Sequence, residues 1–260
     1  MKSSTQGSVF VTTLTLACAL ASASAHASPP LPEISSSVSV DNWSYGLIDL
    51  DLNDGITPSF SFTRQSLTYA GVAPVPGQGL ALYEAGNTFD MIPNLYSSKA
   101  TLGATVTTTV NGAGLASNGS SKGAGEYYGD ALQAVYFALS PATQLVVTSH
   151  VRASVTSTAT LPEPAWGQVE FQLMDAPSPH PVSQLASYAT AVGTLGNQPT
   201  SVDEDIELQL VNANTSVMNG MIYIRLRNYG MITPVPEPAS YGMLIVGLGL
   251  LGVVARRKKQ

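Results

Sequence analysis

The sequence predicts an all-β protein, a single antiparallel β-sandwich of jelly-roll or immunoglobulin-like type. Three observations indicate this class. Apolar and polar residues alternate with a period of two along most of the central chain. Glycine- and proline-rich turns separate these short segments, which contain much threonine and valine. Capped amphipathic helical patterns are scarce, and no fixed repeat indicates a solenoid or propeller.

The elements follow from the same pattern. Asn53-Asp54-Gly55 and residues 140–143 have turn chemistry, so each is expected to join two strands. The glycine-rich segment 112–125 is expected to form a flexible loop, and residues 183–192 are the one short helix candidate. The predicted strands are residues 38–40, 43–52, 59–63, 100–110, 134–139, 144–156, 168–174, 206–211 and 221–226.

The N-terminal segment has the features of a signal peptide. Lys2 precedes an apolar stretch at residues 9–20, and Ala25-His26-Ala27 fits a small-x-small cleavage site. Residues 1–27 are therefore predicted to be removed after Ala27. Cys18 is the single cysteine, so a chain cleaved there has no disulfide and no cysteine ligand. Residues 15–18 also resemble a lipoprotein box, with Thr15 where an aliphatic residue is expected.

Residues 28–233 are predicted to form one ectodomain. This length suits a single large all-β domain that buries a core without disulfides. The whole chain has a formal net charge of −6, and four acidic residues lie within residues 203–207. An acidic domain with scattered cations lacks the basic footprint of a nucleic-acid-binding protein, so we expect no nucleic-acid partner.

The C-terminal residues 234–260 contain three elements in a fixed order. A rigid motif comes first, then the uncharged apolar run 239–255, which is predicted to be a transmembrane helix. A basic cluster follows, and it predicts stop-transfer with the C-terminus in the cytoplasm. The motif is Val235, Pro236, Glu237 and Pro238, and the cluster is Arg256, Arg257, Lys258 and Lys259.

This tail resembles the PEP-CTERM sorting signal of Gram-negative bacterial surface proteins. The resemblance implies processing by an exosortase, a membrane-embedded protease, near the Pro-Glu-Pro motif. It also implies export, transient retention in the inner membrane, and transfer to the envelope or to an exopolysaccharide (biofilm) matrix. Leu161-Pro162-Glu163-Pro164 is a near copy of the motif, but no apolar span follows it, so we expect a loop there. An ordinary unprocessed anchor is the alternative reading of the tail.

One segment has a partial match to a calcium loop. Asp49, Asp51 and Asp54 are clustered carboxylates of the kind that hard cations prefer, and Asn53 and Gly55 complete the pattern. The glycine falls one place late, and no glutamate closes the loop. A polar strand that ends in a turn accounts for the same residues, so we expect no metal and no cofactor.

Catalysis has little support in the sequence. A hydrolytic triad needs a histidine that a carboxylate orients beside a nucleophile, and His150 and His180 lie in no recognised motif. Glu163, Glu170 and Asp175 are carboxylates, but nothing beyond their proximity in the chain marks them as a glycosidase pair. We therefore expect no catalytic residues.

Surface binding has more support. Flat aromatic side chains stack on sugar rings, and burial in the core is the alternative role for both tryptophans. Residues 105–109 and 156–160 are rich in threonine, which indicates a flat threonine face of the kind that ice-binding proteins carry, although the two arrays do not repeat. The candidate sugar platform is Trp43, Tyr45, Tyr127, Tyr128 and Trp166.

The sequence thus predicts a non-enzymatic, secreted surface or extracellular-matrix protein with a structural or adhesive role. A carbohydrate-binding module that acts on exopolysaccharide is the alternative, followed by a polysaccharide-active enzyme and an ice-binding protein. The predicted partners are an exosortase-type protease, the inner membrane before processing, and exopolysaccharide as a further candidate.

Overall fold

The computed structural model describes residues 30–41, 43–63, 66–73, 82–88, 95–101, 103–158, 163–175, 183–233 and 247–249. The chain forms two compact units, Pro32–Pro234 and a second unit of Met1–Leu31 with Val235–Gln260. Within the second unit, residues 247–249 are helical. The described residues include no helix that is both long and apolar enough to span a bilayer. The predicted signal peptide 1–27 and the rest of the predicted membrane helix 239–255 lie outside the described residues.

The unit Pro32–Pro234 is all-β and antiparallel, as predicted. Its described residues form fourteen strands. The strands are β1 Glu33–Val40, β2 Ser44–Asp49, β3 Phe60–Phe62, β4 Ser66–Ala73, β5 Leu82–Thr88, β6 Leu95–Thr101, β7 Ala104–Asn111, β8 Gly114–Lys122, β9 Gly125–Leu139, β10 Thr143–Ser157, β11 Ala165–Asp175, β12 Ser183–Gly193, β13 Ser201–Asn212 and β14 Met218–Ile232.

The strands make two seven-stranded sheets. Sheet A has the order β13-β10-β1-β8-β7-β6, and β2 also pairs with β10. Sheet B has the order β12-β11-β14-β9-β4-β5, and β3 also pairs with β9. Since β1 and β2 pair with successive parts of β10, and β3 and β4 with successive parts of β9, these two long strands organise their sheets.

The inner faces of the two sheets share one hydrophobic core. Every second residue of the long strands is buried, as in Leu145 and Val147 of β10 and Ile222 and Ile224 of β14. Burial of such side chains stabilises the fold by about 25 cal/mol per Å² of apolar surface. Gly167 of β11 lets the sheets approach closely, because a Cβ there would lie 2.5 Å from Val38 Cγ1 of β1.

The predicted loop 112–125 is wrong, because most of it forms β8. The glycines and serines of this segment indicate a loop by composition, but strand β8 needs small residues on its inner face. The ring of Tyr127 fills the space there, and a Cβ on Gly119 would lie 2.1 Å from it. Gly230 of β14 leaves room on another side of the ring, and the Tyr127 hydroxyl bonds Ser36 Oγ at 2.8 Å.

Three further predictions need correction. Residues 183–192, predicted as a helix, form β12, which pairs along its length with β11. Residues 100–110, predicted as one strand, belong to β6 and β7, which reverse direction at Gly103 with a φ of 79°. The predicted strand 43–52 is shorter and ends at Asp49. The other predicted strands are confirmed, although their bounds differ: β1, β9, β11, β13 and β14 extend beyond the predicted residues, and β3 is shorter.

Candidate functional site

The outer face of sheet B carries three aromatic side chains in one row. The strand register places Tyr128 of β9 opposite Tyr229 of β14, and Tyr229 opposite Trp166 of β11. The ring centroids of Trp166 and Tyr229 are 5.9 Å apart, and those of Trp166 and Tyr128 are 6.4 Å apart with an edge-on geometry. All three side chains are half-buried. We call Tyr128, Trp166 and Tyr229 the aromatic row.

The period of two explains why these residues share a face. In β14, Arg225, Arg227 and Tyr229 alternate with buried residues, and so do Trp166 and Gln168 in β11. Because side chains of adjacent strands in register lie about 5 Å apart, these alternating positions form continuous rows across the sheet. The row next to the aromatic row therefore consists of polar and charged residues.

Ion pairs hold both arginines of this face in place. Arg225 donates from Nε and Nη2 to the two carboxylate oxygens of Asp130, at 3.0 and 2.7 Å. Arg227 Nη2 donates to Glu170 Oε1 at 2.5 Å, and Gln168 Nε2 donates to the same oxygen at 2.8 Å. Asp130 is only 3% exposed, so its bidentate pair lies largely out of water.

The tyrosine hydroxyls of the aromatic row donate to carboxylates. Tyr229 donates to Glu126 Oε1 at 2.9 Å, and Tyr128 donates to Asp130 Oδ2 at 3.4 Å. Burial raises the pKa of both phenols above the ordinary value, and the neighbouring carboxylates raise it further. Both hydroxyls therefore stay protonated at neutral pH and remain hydrogen-bond donors.

A shallow pocket of about 260 Å³ lies beside Trp166. Gly193 of β12 is the register partner of Trp166, so the residue facing the indole from that strand has no side chain. Hydrocarbon groups dominate the lining, while two glutamines supply amides. The pocket is lined by Pro164, Ala165, Trp166, Gln168, Ala191, Val192, Gly193, Leu195 and Gln198.

The predicted aromatic platform is only partly correct. Trp43 is a core residue whose Nε1 donates to Gln133 Oε1 at 2.8 Å, and Tyr127 is also buried. Tyr45 is 46% exposed but packs on Phe60 in a different region, with ring centroids 4.4 Å apart. Tyr128 and Trp166 are thus the members of that set that come together.

Tyr229 is not among the aromatic residues predicted from the sequence. The sequence pattern that could have indicated Tyr229 is its spacing of two residues from Arg227 and four from Arg225, which places all three on one face of a strand. That spacing does not reveal the neighbours of the strand. The contact between Tyr229 and Trp166 therefore depends on the order of strands in sheet B.

The calcium candidates form a series of turns. Asp49 Oδ1 accepts a hydrogen bond from the backbone N–H of Asp51, and Asp51 Oδ1 accepts one from Asn53. Asp54 Oδ1 accepts a bond from the backbone N–H of Ile56 at 2.7 Å. These contacts match the turn interpretation of the motif. Over the described ranges, no group of three or more His, Cys, Asp or Glu residues is arranged to hold a metal ion.

His150 lies on the outer face of sheet A, against the acidic strand β13. Its ring nitrogens contact Asp205 Oδ1 at 2.7 Å and Asp203 Oδ1 at 2.6 Å. The hydrogen bond to Asp205 is the main cause that raises the pKa of His150. Asp205 is the register partner of His150, which the sequence did not reveal. His180, the other predicted histidine, lies outside the described residues.

Two of the three carboxylates considered for catalysis have other contacts. Glu170 is paired with Arg227, as described above, and Asp175 is the last residue of β11. Glu163 Oε1 accepts a hydrogen bond from the backbone N–H of Thr233 at 3.4 Å.

A second surface, on the outer face of sheet A, is rich in hydroxyl groups. Ser35 and Thr156 share a hydrogen bond of 2.7 Å, and Thr105 and Ser120 share one of 3.0 Å. The Ser37 hydroxyl donates to the Asn118 amide oxygen. In the predicted threonine array 105–109, Thr108 is buried. We call the surface formed by the following residues the hydroxyl face: Ser35, Ser37, Thr105, Thr107, Asn118, Ser120 and Thr156.

A comparison with protein families identifies the C-terminal tail. The family model of the PEP-CTERM protein-sorting motif matches residues 234–259. The chain therefore carries a PEP-CTERM sorting motif, as the resemblance predicted. The motif implies export, transit through a membrane-anchored state and processing by an exosortase, a membrane protease. No curated protein matches the chain, and no solved structure matches it.

The two Pro-Glu-Pro sequences differ in their surroundings. Val235–Pro238 and the basic cluster 256–259 fall within the matched tail, although both lie outside the described residues. In the mid-chain copy, the carbonyl of Glu163 accepts a hydrogen bond from Thr194 Oγ1 at 2.6 Å. The carbonyl of Pro164 accepts one from the backbone N–H of Met231 at 3.0 Å. The described residues of this copy, Glu163 and Pro164, are thus bonded to sheet B and to the residue that follows β12.

Proposed function

We propose that this protein is a secreted, non-enzymatic surface or extracellular-matrix protein with a structural or adhesive role. Residues 28–233 are its working domain, a β-sandwich, and residues 234–260 are its sorting tail. The observation that carries the proposal is the PEP-CTERM motif at residues 234–259, attached to an all-β unit with two broad sheet faces. Such a unit suits the display of surface outside the cell.

The proposed route has three steps. The signal peptide 1–27 directs export and is cleaved after Ala27. The helix 239–255 then holds the protein in the inner membrane, with Arg256–Lys259 in the cytoplasm. An exosortase acts near Pro236-Glu237-Pro238, and the domain passes to the envelope or to the extracellular matrix.

The route is tested by substitutions in the two Pro-Glu-Pro sequences, made in a host that has an exosortase. Glu237→Ala or Pro238→Ala should leave a larger, membrane-retained product on an immunoblot of cell fractions. Glu163→Ala is the matched control and should mature normally, because the backbone of Glu163 and Pro164 is already bonded to Thr194 and Met231. If all three variants mature normally, processing does not depend on Pro236-Glu237-Pro238 and the proposed route fails. If the unmodified protein itself stays full-length and membrane-retained, the tail is a plain anchor.

A carbohydrate-binding module is the second candidate function, with exopolysaccharide as the partner. The observation that favours it is the aromatic row with the adjoining pocket, since sugar sites combine flat apolar surfaces with a few polar groups. Retention of the protein on the immobilised exopolysaccharide of its host would support this function, and passage through the column would contradict it.

The proposal assigns no catalytic residue, metal or cofactor to the domain. Incubation with the same exopolysaccharide should release no new reducing ends. Release that scales with protein concentration would show instead that the protein is a polysaccharide-active enzyme.

A further inference from the structure

We propose that the pocket beside Trp166 binds one ring of an uncharged polysaccharide and that the aromatic row supports the neighbouring rings. This inference rests on the carbohydrate-binding candidate and narrows it to one site and one class of glycan. Four properties of the site support it: the size of the pocket, the stacking surface of Trp166, the polar groups of the lining and the charges on the surrounding face.

The pocket is small and open on one side. Its volume of about 260 Å³ is below the roughly 300–1,000 Å³ of pockets that enclose drug-sized ligands. A single sugar ring suits this volume. Because the pocket lies on the outer face of a sheet and is not enclosed, the chain on either side of the bound ring can continue across the surface.

The indole of Trp166 provides the stacking surface. It lines the pocket and also contacts the rings of Tyr128 and Tyr229, with interplanar angles of 67° and 36°. These contacts fix the orientation of the indole before any ligand binds. A preorganised aromatic side chain loses little conformational entropy on binding, so stacking contributes more of its energy to affinity.

Two glutamine side chains supply polar groups to the same pocket. Gln168 donates from Nε2 to Glu170, which orients its amide oxygen as an acceptor for a sugar hydroxyl. Gln198 lines the pocket beside Leu195. Amides both donate and accept hydrogen bonds, as sugar hydroxyls do, so these residues match an uncharged ring.

The charges on this face disfavour an acidic glycan. Arg225 and Arg227 are each paired with a carboxylate, and Glu126 adds another acidic group next to Tyr229. A uronate or sulfate would have to compete with Asp130 and Glu170 for the guanidinium groups. It would also approach three carboxylates, so an uncharged polysaccharide is the class that fits.

Tryptophan fluorescence provides a site-specific test. The chain has two tryptophans, and Trp43 is buried in the core, so a change on ligand binding reports Trp166. The full-length protein should be purified in a detergent without a sugar headgroup, because a sugar headgroup would compete for the site. Dextran or mannan should shift the emission of Trp166 and reduce its quenching by acrylamide. Alginate, an acidic polysaccharide, should do neither.

Variants then test the site by affinity electrophoresis in gels that contain dextran or mannan. Trp166→Ala should weaken binding about tenfold or more, as expected for the central aromatic anchor of a site. Trp166→Phe keeps a flat ring and should retain most of the affinity. Tyr45→Ala is the matched control, because it removes an exposed aromatic ring that lies outside the aromatic row, and it should bind like the unmodified protein.

The outcomes separate this inference from the function on which it rests. If dextran or mannan binds and both Trp166 variants bind equally well, the site is wrong while the carbohydrate-binding function stands. Tighter binding of alginate than of dextran and mannan would overturn the class of glycan. If none of the three polysaccharides binds, the proposed site and glycan class fail, and retention on the exopolysaccharide of the host then decides the carbohydrate-binding function separately.

Discussion

The outer faces of the two sheets differ although their inner faces build one core. On the hydroxyl face of sheet A, small uncharged side chains bond one another between strands, as Ser35 does with Thr156. On the outer face of sheet B, aromatic rings pack together and guanidinium groups pair with carboxylates, as Arg225 does with Asp130. Inner-face alternation thus determines the fold, while the outer faces are free to differ in chemistry.

The two outer faces should also differ in the free energy that a single substitution costs. Cross-strand pairs of exposed hydroxyls contribute roughly 0.2–1 kcal/mol each. Loss of one partner from a buried ion pair costs roughly 3–5 kcal/mol, because the remaining charge stays desolvated. We therefore expect single substitutions on sheet B to be costly and single substitutions on the hydroxyl face to be mild.

The largest effect is expected for Asp130→Ala. The substitution removes the two carboxylate oxygens of Asp130 to which Arg225 donates. It should lower the free energy of unfolding by about 3 kcal/mol, the low end for buried pairs, because the Arg225 side chain is 29% exposed. Urea unfolding followed by circular dichroism measures this change. Ser37→Ala on the hydroxyl face is the control and should cost far less. A loss below about 1 kcal/mol would instead place this pair among ordinary surface salt bridges.

An intermediate effect is expected within a single strand of sheet A. Thr105 and Thr108 lie on opposite faces of β7, the first exposed and the second buried. Thr108→Val should destabilise by about 0.5–1.5 kcal/mol, the net contribution of one hydrogen bond. It removes the 3.2 Å bond between Thr108 and the Ser117 hydroxyl, which still donates to Asn228 Oδ1 at 2.7 Å. Thr105→Val keeps the strand-favouring shape and should change stability by about 0.5 kcal/mol or less.

The same urea unfolding experiment compares the two valine variants directly. Since both replace threonine by valine in one strand, differences in strand propensity cancel. Equal losses of unfolding free energy in the two variants would mean that hydrogen bonds on the hydroxyl face stabilise as much as those in the interior. The expected difference between exposed and buried positions would then be wrong.

Much of the fold could be predicted from the sequence, because burial on one face of a strand gives a period of two. Strands β10, β11, β13 and β14 have this pattern at nearly every position. The predictions failed where packing overrides composition. Strand β8 needs Gly119 to accommodate Tyr127, and β12 contains helix-favouring alanines that pairing with β11 holds extended.

The candidate site could be predicted only in part. Trp166 and Tyr128 were candidates for an aromatic platform, with burial in the core as the other reading for Trp166, and alternation alone places Tyr229 on the same side as Arg227. Their meeting requires that β14 lie between β9 and β11, and this order arises from pairing between distant segments. The contact of His150 with Asp203 and Asp205 was missed for the same reason, because β10 and β13 are distant in sequence.

The smallest effect is expected at His150. This residue lies on the outer face of sheet A, in β10, next to the edge strand β13. Asp203 and Asp205 face its ring from β13, and Arg152, which is paired with Asp41, lies two residues further along β10. The hydrogen bond to Asp205 raises the pKa of His150 above its ordinary value of 6.5, and Asp203 raises it further, while partial burial and Arg152 oppose the shift. The folded protein therefore binds this proton more tightly than the unfolded chain does.

The sign of the pH dependence follows from that raised pKa. The stabilisation from charged His150 should be fully present below pH 6.5, the ordinary value, and should be lost as the pH rises through the higher pKa of the folded state. His150→Gln cannot gain this charge, so the difference in unfolding free energy between the two proteins should shrink from mildly acidic to mildly alkaline pH. Urea unfolding across this range measures the difference, in which the titration of all other groups largely cancels.

Because both aspartates are well exposed, added salt should reduce the effect. A difference that stays constant or grows with pH would show that the contact between His150 and Asp205 does not depend on the histidine charge.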